Sequence, residues 1–252
     1  VNWPFWKPYA QVRGSSGGQV RYGVKRTYGN GRMVYQPDLT TDAFTDGVAT
    51  GGVKGIKAKR RGAAGPNLHP EKVGQKSSIT FVIDSPYTAV DAWLDVAALR
   101  KTDKDVLAIH AKGRSGGWKK VWSAEKTGKL ALEKIPLKQA AWFGHRYLVK
   151  FEMAAGANVA DVGIDSFRIT TVFMNNIYSL PYFMPGKNKV RLAAATGADL
   201  KANKLTLEYA WSEQGKDKTL TRQVEKLPLD FTVDVGGKDL PRMKHLKLSV
   251  AP

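Results

Sequence analysis

Residues 87–122, YTAVDAWLDVAALRKTDKDVLAIHAKGRSGGWKKVW, decide the fold that this sequence predicts. Between positions 87 and 96, small and aliphatic residues alternate with a set that holds a tryptophan among aspartates, and a period of two is typical of a strand with one buried face. Residues 106–111 predict a second strand, residues 115–117 a turn, and residues 118–122 a third strand with Trp118 and Trp122 on the same side. The stretch therefore predicts an antiparallel β-meander.

The same alternation continues on both sides of this meander. Strands are predicted at residues 77–83, 130–135, 146–153 and 164–173, separated by turn residues, and no helix of ordinary length is predicted. In residues 146–153 the side chains of Tyr147, Val149, Phe151 and Met153 share one face, whereas Arg146, Lys150 and Glu152 lie on the other and reach solvent. The spacing of these strands predicts an all-β fold, an antiparallel β-sandwich or jelly roll over residues 38–184.

Proline and glycine interrupt the pattern near residues 180–188 and indicate a boundary. Five further strands are predicted after it, at residues 189–194, 204–211, 219–225, 229–235 and 243–250. This number of short strands in a short segment favours a small Ig-like β-sandwich subdomain over residues 185–252. The alternative is that these strands close the larger sandwich.

The first 37 residues mix aromatics, prolines and basic residues without a sustained period, and they predict an irregular N-terminal arm with short strands near residues 19–25 and 32–35. Trp3, Phe5, Trp6 and Tyr9 are expected to anchor this arm on the main domain, because large apolar groups gain most from burial. A stacking platform for a sugar or a base is the alternative. Because the chain begins at Val1, a processed chain or an excised piece is expected.

A glycine-rich basic segment, residues 51–70, predicts a long loop. Its cations fall within eight positions and suit sulfate, carboxylate or phosphate groups; they are Lys54, Lys57, Lys59, Arg60 and Arg61. A solvated loop with no ligand is the alternative.

The formal net charge of +18 favours an anionic polymer as the partner, because charge of one sign concentrates ligands of the other sign. A basic chain with interleaved aromatics is also typical of nucleic-acid binding, but no RRM, KH, zinc-finger or helix-turn-helix pattern is present, so nucleic acid is an unlikely partner. Cysteine is absent, which excludes disulfides, thiol nucleophiles and Cys-based zinc sites. No apolar run approaches the roughly 20 residues of a membrane-spanning helix.

Several phrases resemble the galactose-binding-like (discoidin or carbohydrate-binding-module) β-sandwich. They are DAFTDGV at 42–48, SSITFVIDSPYTAVDAWLDV at 77–96, WKKVW at 118–122 and IDSFRITTVF at 164–173. GNGRMVYQPDL at 29–39 and LPYFMPGKNKV at 180–190 are similar to accessory regions of large secreted bacterial proteins with sialidase-like or polysaccharide-acting domains. The resemblance spans residues 29–189. It implies a carbohydrate-binding module of a secreted or cell-surface protein, and a structural calcium ion at Asp42, Thr45 and Asp46. The alternative for these aspartates is that they cap turns.

Sugar binding needs a flat aromatic face for the apolar side of a pyranose and polar groups beside it. The aromatic candidates next to turns are Trp118, Trp142 and Tyr182. Polar candidates near them in sequence, or in the basic loop, are Lys112, Arg114, Lys119, His145, Lys57, Lys59, Arg60 and Arg61. Each tryptophan has a core position as its alternative.

No catalytic residue is assigned. Asp91 and Asp95 share a strand face but lie about 13 Å apart, too far for a glycosidase pair. We therefore expect a non-catalytic module that binds an anionic glycan through loops of the larger sandwich. One alternative is a structural subunit of a surface layer or filament that assembles through the N-terminal arm, and another is a fragment of a polysaccharide-acting enzyme.

Overall fold

The computed structural model describes residues 11–14, 20–23, 31–58, 64–85, 87–174, 183–193 and 204–251. These residues form antiparallel β-sheets that pack as a sandwich, so the predicted all-β fold is confirmed. The chain divides into two compact units, Val1–Asn175 and Asn176–Pro252. The predicted docking arm at residues 1–10 lies outside the described residues.

The strands of the first unit have the following bounds: β1 Gln11–Gly14, β2 Val20–Gly23, β3 Gly31–Tyr35, β4 Val48–Lys54, β5 Ile56–Ala58, β6 Leu68–Pro70, β7 Ser77–Asp84, β8 Thr88–Arg100, β9 Val106–Lys112, β10 Lys119–Ser123, β11 Gly128–Pro136, β12 Arg146–Ala154 and β13 Val162–Met174. One short α-helix, α1, spans Lys138–Ala141. Two 3-10 turns span Asp42–Gly47 and Val159–Asp161.

Two sheets make the sandwich of the first unit. The five-stranded sheet has the order β10-β9-β12-β7-β4, and the six-stranded sheet has the order β11-β8-β13-β6-β5 with β3 also paired to β13. Strands β1 and β2 pair with each other as a separate two-stranded antiparallel sheet. Each strand predicted between residues 77 and 173 is present, with ends that differ by a few residues.

The prediction of one long loop at residues 51–70 is wrong in part. Strand β4 pairs with β7, and β5 pairs with β6, so much of this segment belongs to the sheets. The pairing of β4 shifts register between Val48 and Val53, and Gly51, with φ +66°, lies inside that irregularity. Glycine adopts this left-handed backbone without steric cost, so its presence marks a bulged strand here. Lys59, Arg60 and Arg61 lie outside the described residues.

The inner faces of the two sheets enclose one apolar core. Phe81 and Phe151 of the five-stranded sheet meet Phe167 of the six-stranded sheet, with ring centroids 4.7 and 5.1 Å apart respectively. All three side chains are fully buried, and each contributes about 1.5–3 kcal/mol of transfer free energy. The alternation of residues 87–96 places Ala89 on the same face as Asp91 and Trp93, but Ala89 packs in this core because the pairing with β13 shifts register beside it.

A hydrogen bond joins the two sheets inside this core. The hydroxyl of Tyr147 on β12 lies 2.6 Å from the hydroxyl of Thr171 on β13, and both side chains are buried. Burial raises the pKa of Tyr147 far above its ordinary value, against the smaller opposing effect of the bond to Thr171. The two buried hydroxyls are therefore each other's partner, which avoids the cost of an unsatisfied polar group.

A polar network closes the turn between β8 and β9. One carboxylate oxygen of Asp105 accepts hydrogen bonds from the amide and the hydroxyl of Thr102, both at 2.8 Å, and the other accepts from the amide of Gly156 at 2.8 Å. Arg100 donates to the carbonyl oxygens of Asp105, Asp103 and Lys126. Burial alone would raise the pKa of Asp105, but these hydrogen bonds and the charge of Arg100 outweigh it and lower the pKa.

The second unit contains two small antiparallel sheets around its own core. Its strands are β14 Gly186–Leu192, β15 Lys204–Glu213, β16 Lys216–Val224, β17 Leu229–Val235 and β18 Arg242–Ala251, ordered β14-β17 and β16-β15-β18. Phe183 stacks on Tyr209 at 4.4 Å and meets Trp211 edge-on at 5.4 Å. The strands predicted after residue 185 are thus present, and the Ig-like topology stays a prediction.

Among the residues that the structure describes, no helix is both long and apolar enough to cross a lipid bilayer.

Replacing Tyr147 by phenylalanine should lower the free energy of unfolding by about 1–3 kcal/mol, because the Thr171 hydroxyl then stays buried without its partner. Urea denaturation followed by intrinsic fluorescence measures this loss. The double variant Tyr147→Phe, Thr171→Val is the control, and its loss should be smaller than the sum of the two single losses. Strict additivity of the two single effects would show that the two hydroxyls do not interact.

Asp105→Asn should lower the free energy of unfolding at pH 7 by roughly 1–3 kcal/mol, because a charged acceptor of three hydrogen bonds is lost. The pKa of Asp105 is lower in the folded than in the unfolded state, so the stability it contributes is present above the unfolded value near 3.9 and is lost as the pH falls below it. Unfolding free energies measured between pH 7 and pH 2 should therefore fall less steeply in the variant. Asp103→Asn is the matched control: its side chain is 90% exposed and makes one ion pair at 3.6 Å with Arg100, so it should lose much less stability than Asp105→Asn.

Candidate functional site

Strand pairing brings three segments together at one end of the first unit. They are Ser85 and Thr88 between β7 and β8, residues 112–119 between β9 and β10, and residues 137–146 between β11 and β12. We call this end the α1 rim. The backbone of Leu148 pairs with Lys112, and Arg146 pairs with Asp84, so the start of β12 adjoins the ends of β9 and β7. A Cβ atom on Gly113 would lie 2.6 Å from the carbonyl oxygen of Ala140, so residues 113 and 140 are in close backbone contact. The rim is therefore a continuous surface.

Six of the residues proposed from sequence lie together on this rim: Lys112, Arg114, Trp118, Lys119, Trp142 and His145. Lys57 does not. It lies on β5, whose partner β6 pairs with Ile164 at the start of β13, the opposite end of the sandwich. Its ammonium is also 3.3 Å from the carboxylate of Glu71. Tyr182, Lys59, Arg60 and Arg61 lie outside the described residues.

Trp118 lies on the outer face of the five-stranded sheet. The ammonium of Lys150 is 4.7 Å from the centre of its ring, and Lys150 points outward because its neighbours Val149 and Phe151 are core residues. Since β9 separates β10 from β12, the indole reaches across β9 to make this contact. It is nevertheless 38% exposed.

The expectation that Trp118 and Trp122 share a side is wrong. The pairing of β10 with β9 shifts register between Lys120 and Trp122, and the extra residue there is Val121. A bulge of this kind reverses the alternation of side chains beyond it. Trp122 consequently packs against the core, and Trp118 alone is left on the outer face.

Trp142 and Phe143 form an exposed aromatic corner directly after α1. Their ring centroids are 4.9 Å apart in an edge-to-face arrangement, and the two residues are 41% and 48% exposed. The ammonium of Lys138 lies 4.8 Å from the centre of the Trp142 ring. Phe143 has φ +53°, a left-handed conformation that is uncommon for a residue other than glycine. Its amide donates to the carbonyl of Ala89 at 2.9 Å, which fixes this backbone.

The polar side chains of the rim differ in how far they are already engaged. Arg146 and Asp84 make a two-point ion pair at 2.5 and 2.8 Å, so this guanidinium has a carboxylate partner. His145 Nε2 lies 3.4 Å from the hydroxyl of Thr88. No ion pair forms between Lys112 or Arg114 and any described residue, and their charges are therefore free to meet a ligand.

Sequence reasoning missed a group on the outer face of the five-stranded sheet, next to Trp118. Cross-strand pairing sets Lys120 opposite His110, and His110 opposite Lys150. Glu152 lies two positions after Lys150 on the same face. The alternation of residues 146–153 had already placed Lys150 and Glu152 on a solvated face. Lys150 and Glu152 lie close to His110 because β12 pairs with β9, and no local sequence pattern encodes this pairing.

The Nε2 atom of His110 is buried and has no hydrogen-bond partner among the described residues. Burial, together with the positive charges of Lys150 and Lys120, lowers the pKa of His110, against the opposing charge of Glu152. The ring is consequently neutral at pH 7. It separates two ammonium groups without adding a third charge.

The aspartates expected to hold calcium lie in the 3-10 turn Asp42–Gly47. The hydroxyl of Thr45 donates to the carbonyl oxygen of Asp42 at 2.6 Å, as in a turn held by its own side chain. The pKa of Tyr35 is raised to about 12, mainly by burial of the phenol and in smaller part by the negative charge of Asp46. In the described part of the chain no three His, Cys, Asp or Glu side chains cluster as metal ligands. A calcium ion needs about six or more oxygen ligands, and the resemblance names only Asp42, Thr45 and Asp46. Calcium binding therefore stays a prediction of the resemblance.

Lys150→Gln should raise the pKa of His110 toward its ordinary value near 6.5, because a nearby positive charge is removed. Glu152→Gln should lower it further. Titration of the imidazole carbon–proton signals by NMR measures both changes, and His245, in the second unit, serves as the internal reference. Because the folded-state pKa lies below the unfolded one, stability contributed by neutral His110 is complete above about pH 6.5 and decreases as the pH falls. Identical titration curves in the parent and both variants would contradict this assignment of charges.

No protein-family model matches this chain, and no curated protein matches it.

Proposed function

We propose that this chain is a non-catalytic module that binds an anionic glycan at the α1 rim, as part of a secreted or cell-surface protein. One observation carries the proposal. Two exposed indoles, Trp118 and Trp142, belong to the same rim, and each has a lysine ammonium within 5 Å of its ring centre, at 4.7 and 4.8 Å. An aromatic face beside a cation is the combination that an acidic sugar requires.

The aromatic half of this combination follows from the surface chemistry of sugars. One face of a pyranose presents C–H groups and packs on a flat ring, which removes apolar area from water. Trp142, Phe143 and Trp118 leave much of their ring area in water in the unbound chain. Clustered exposed aromatics are typical of interaction sites.

The cationic half follows from charge. Lys112, Arg114 and Lys119 lie at the end of β9, in the connection that carries Trp118 and at the start of β10, and the chain as a whole has a net charge of +18. Arginine and lysine pair with sulfate and carboxylate groups, and the surrounding field increases the rate at which anions arrive. The resemblance to galactose-binding-like sandwiches supports the same ligand class and an extracellular location.

Trp118→Ala and Trp142→Ala should each weaken binding of an acidic oligosaccharide by about tenfold or more, which corresponds to about 1.4 kcal/mol. A glycan array identifies the ligand, and calorimetry at low and high salt measures its affinity. Binding should also weaken with added salt, because part of it is electrostatic.

Leu240→Ala is the matched control. Leu240 is a large apolar residue of the second unit, 57% exposed and remote in sequence from the rim, and its loss should leave affinity unchanged. Full retention of binding by both tryptophan variants, or no glycan binding by the parent protein at any salt concentration, would refute the proposed function.

A further inference from the structure

A groove of about 290 Å³ runs along the outer face of the five-stranded sheet, on the side away from the α1 rim. It lies between β9, β10 and β12 and reaches the polar turn after β8. Its polar lining consists of Arg100, Asp103, Asp105, His110, Lys120, Ser123 and Glu152. The carboxylates of Asp103 and Asp105 already have partners, Arg100 for the first and the amides of Thr102 and Gly156 for the second. We call it the sheet groove. Trp118 and Lys150 adjoin it, since Lys150 is the direct cross-strand neighbour of His110.

One wall of the sheet groove is basic: Lys120 and His110 line it, and Lys150 adjoins it. Lys120, His110 and Lys150 occupy directly opposite positions on three adjacent strands, where side chains lie about 5 Å from their neighbours. Within the described ranges no carboxylate lies within 4.0 Å of either ammonium. The two lysines are attached two strand spacings apart, about 10 Å, so an anion placed between them would be attracted by both.

The other wall is of opposite character. The Glu152 carboxylate faces the same groove, and within the described chain it makes no ion pair. Ser123 lies on the other side of β9 from it, because Ser123 and Glu152 both pair with Ala108. A carboxylate accepts hydrogen bonds only, so Glu152 suits hydroxyl groups and would repel a second anion. A ligand with one acid group and several hydroxyls matches both walls, whereas inorganic phosphate matches only the first.

His110 supplies a further sign of an incomplete site. Its Nε2 atom is buried beside the two lysines without a partner in the described residues, which costs free energy in the unbound chain. Nearly all such atoms in native proteins are paired, and the exceptions call for an explanation. Because this atom is closed to solvent in the unbound chain, a ligand hydroxyl or acid oxygen would become its partner only after the ring turns toward the groove.

We propose that the sheet groove is a subsite for a single acidic sugar residue, whose carboxylate or sulfate lies between Lys120 and Lys150 and whose hydroxyls donate to Glu152. The groove volume is near the lower end of the range of about 300–1,000 Å³ for ligand pockets, so the groove accommodates one sugar residue. The adjoining sugar residues of the oligosaccharide would lie over Trp118. This subsite rests on the proposed function, and it makes the acid group a requirement for tight binding.

Lys120→Gln tests the subsite most directly, because Lys120 lines the groove and is not the lysine over the Trp118 ring. Glu152→Gln tests the hydroxyl wall. The matched control is Lys129→Gln, since Lys129 is an exposed lysine on β11 of the other sheet and does not line the groove. The probes are a sulfated galactan oligosaccharide, an oligogalacturonate, a neutral galactan oligosaccharide and a single-stranded DNA oligonucleotide of equal charge, each measured by calorimetry at one fixed ionic strength.

Lys120→Gln should weaken binding of at least one acidic oligosaccharide about tenfold, Glu152→Gln should weaken it several-fold, and Lys129→Gln should stay within twofold of the parent. Affinity for the neutral oligosaccharide should not change. The preferred acid, sulfate or carboxylate, is identified by which oligosaccharide shows the loss. The NMR signals of His110 should also shift when that oligosaccharide binds to the parent protein.

Three results would overturn the subsite. Unchanged acidic-glycan affinity in Lys120→Gln, while Trp142→Ala loses binding, would leave the rim function standing and remove the groove from it. An equal loss of DNA affinity in Lys120→Gln would show a site that recognises charge alone. Tighter glycan binding by Glu152→Gln would show that this carboxylate repels the ligand and does not accept its hydroxyls. Absence of any glycan binding by the parent would remove both proposals together.

Discussion

Strand β12 is hydrogen-bonded along both edges, to β9 and to β7, so its side chains have no freedom except to alternate between the core and the outer face. Tyr147 and Phe151 enter the core on one side, and Lys150 and Glu152 leave it on the other. A slip of one residue would exchange the two sets and bury two charges. The register that builds the core therefore also fixes the outer face on which the proposed subsite lies.

The larger part of the fold is encoded in local alternation, and for this reason the sequence predicts it well. Tyr147, Val149, Phe151 and Met153 occupy alternate positions of the strand predicted at residues 146–153, and β12 differs from that prediction by one residue at its end. Alternation fails as a guide where the backbone is irregular. The bulge at Val121 separates Trp118 from Trp122, and the glycine-containing bulge of β4 made a strand look like a loop.

The candidate site is less accessible to sequence reasoning, because it is built by contacts between distant segments. Trp118 and Trp142 were recognised from their positions beside turns, which place a side chain at the surface. Lys150 is a different case. It is 32 positions from Trp118 and 40 positions from His110, and only the order of strands in the five-stranded sheet makes the three residues neighbours. The positive charge of the row formed by Lys120, His110 and Lys150 is likewise recognised only when the strand pairing is known.

The left-handed backbone at Phe143 has a consequence for how the rim meets a partner. Holding a bulky residue at φ +53° costs of the order of 1 kcal/mol, and the chain meets this cost during folding, through the amide bond to Ala89 and the packing of α1 on β8. The Trp142–Phe143 corner is thus already ordered before any encounter. A partner that docks on it forfeits little conformational entropy, so a small contact area suffices for useful affinity, and release can remain fast.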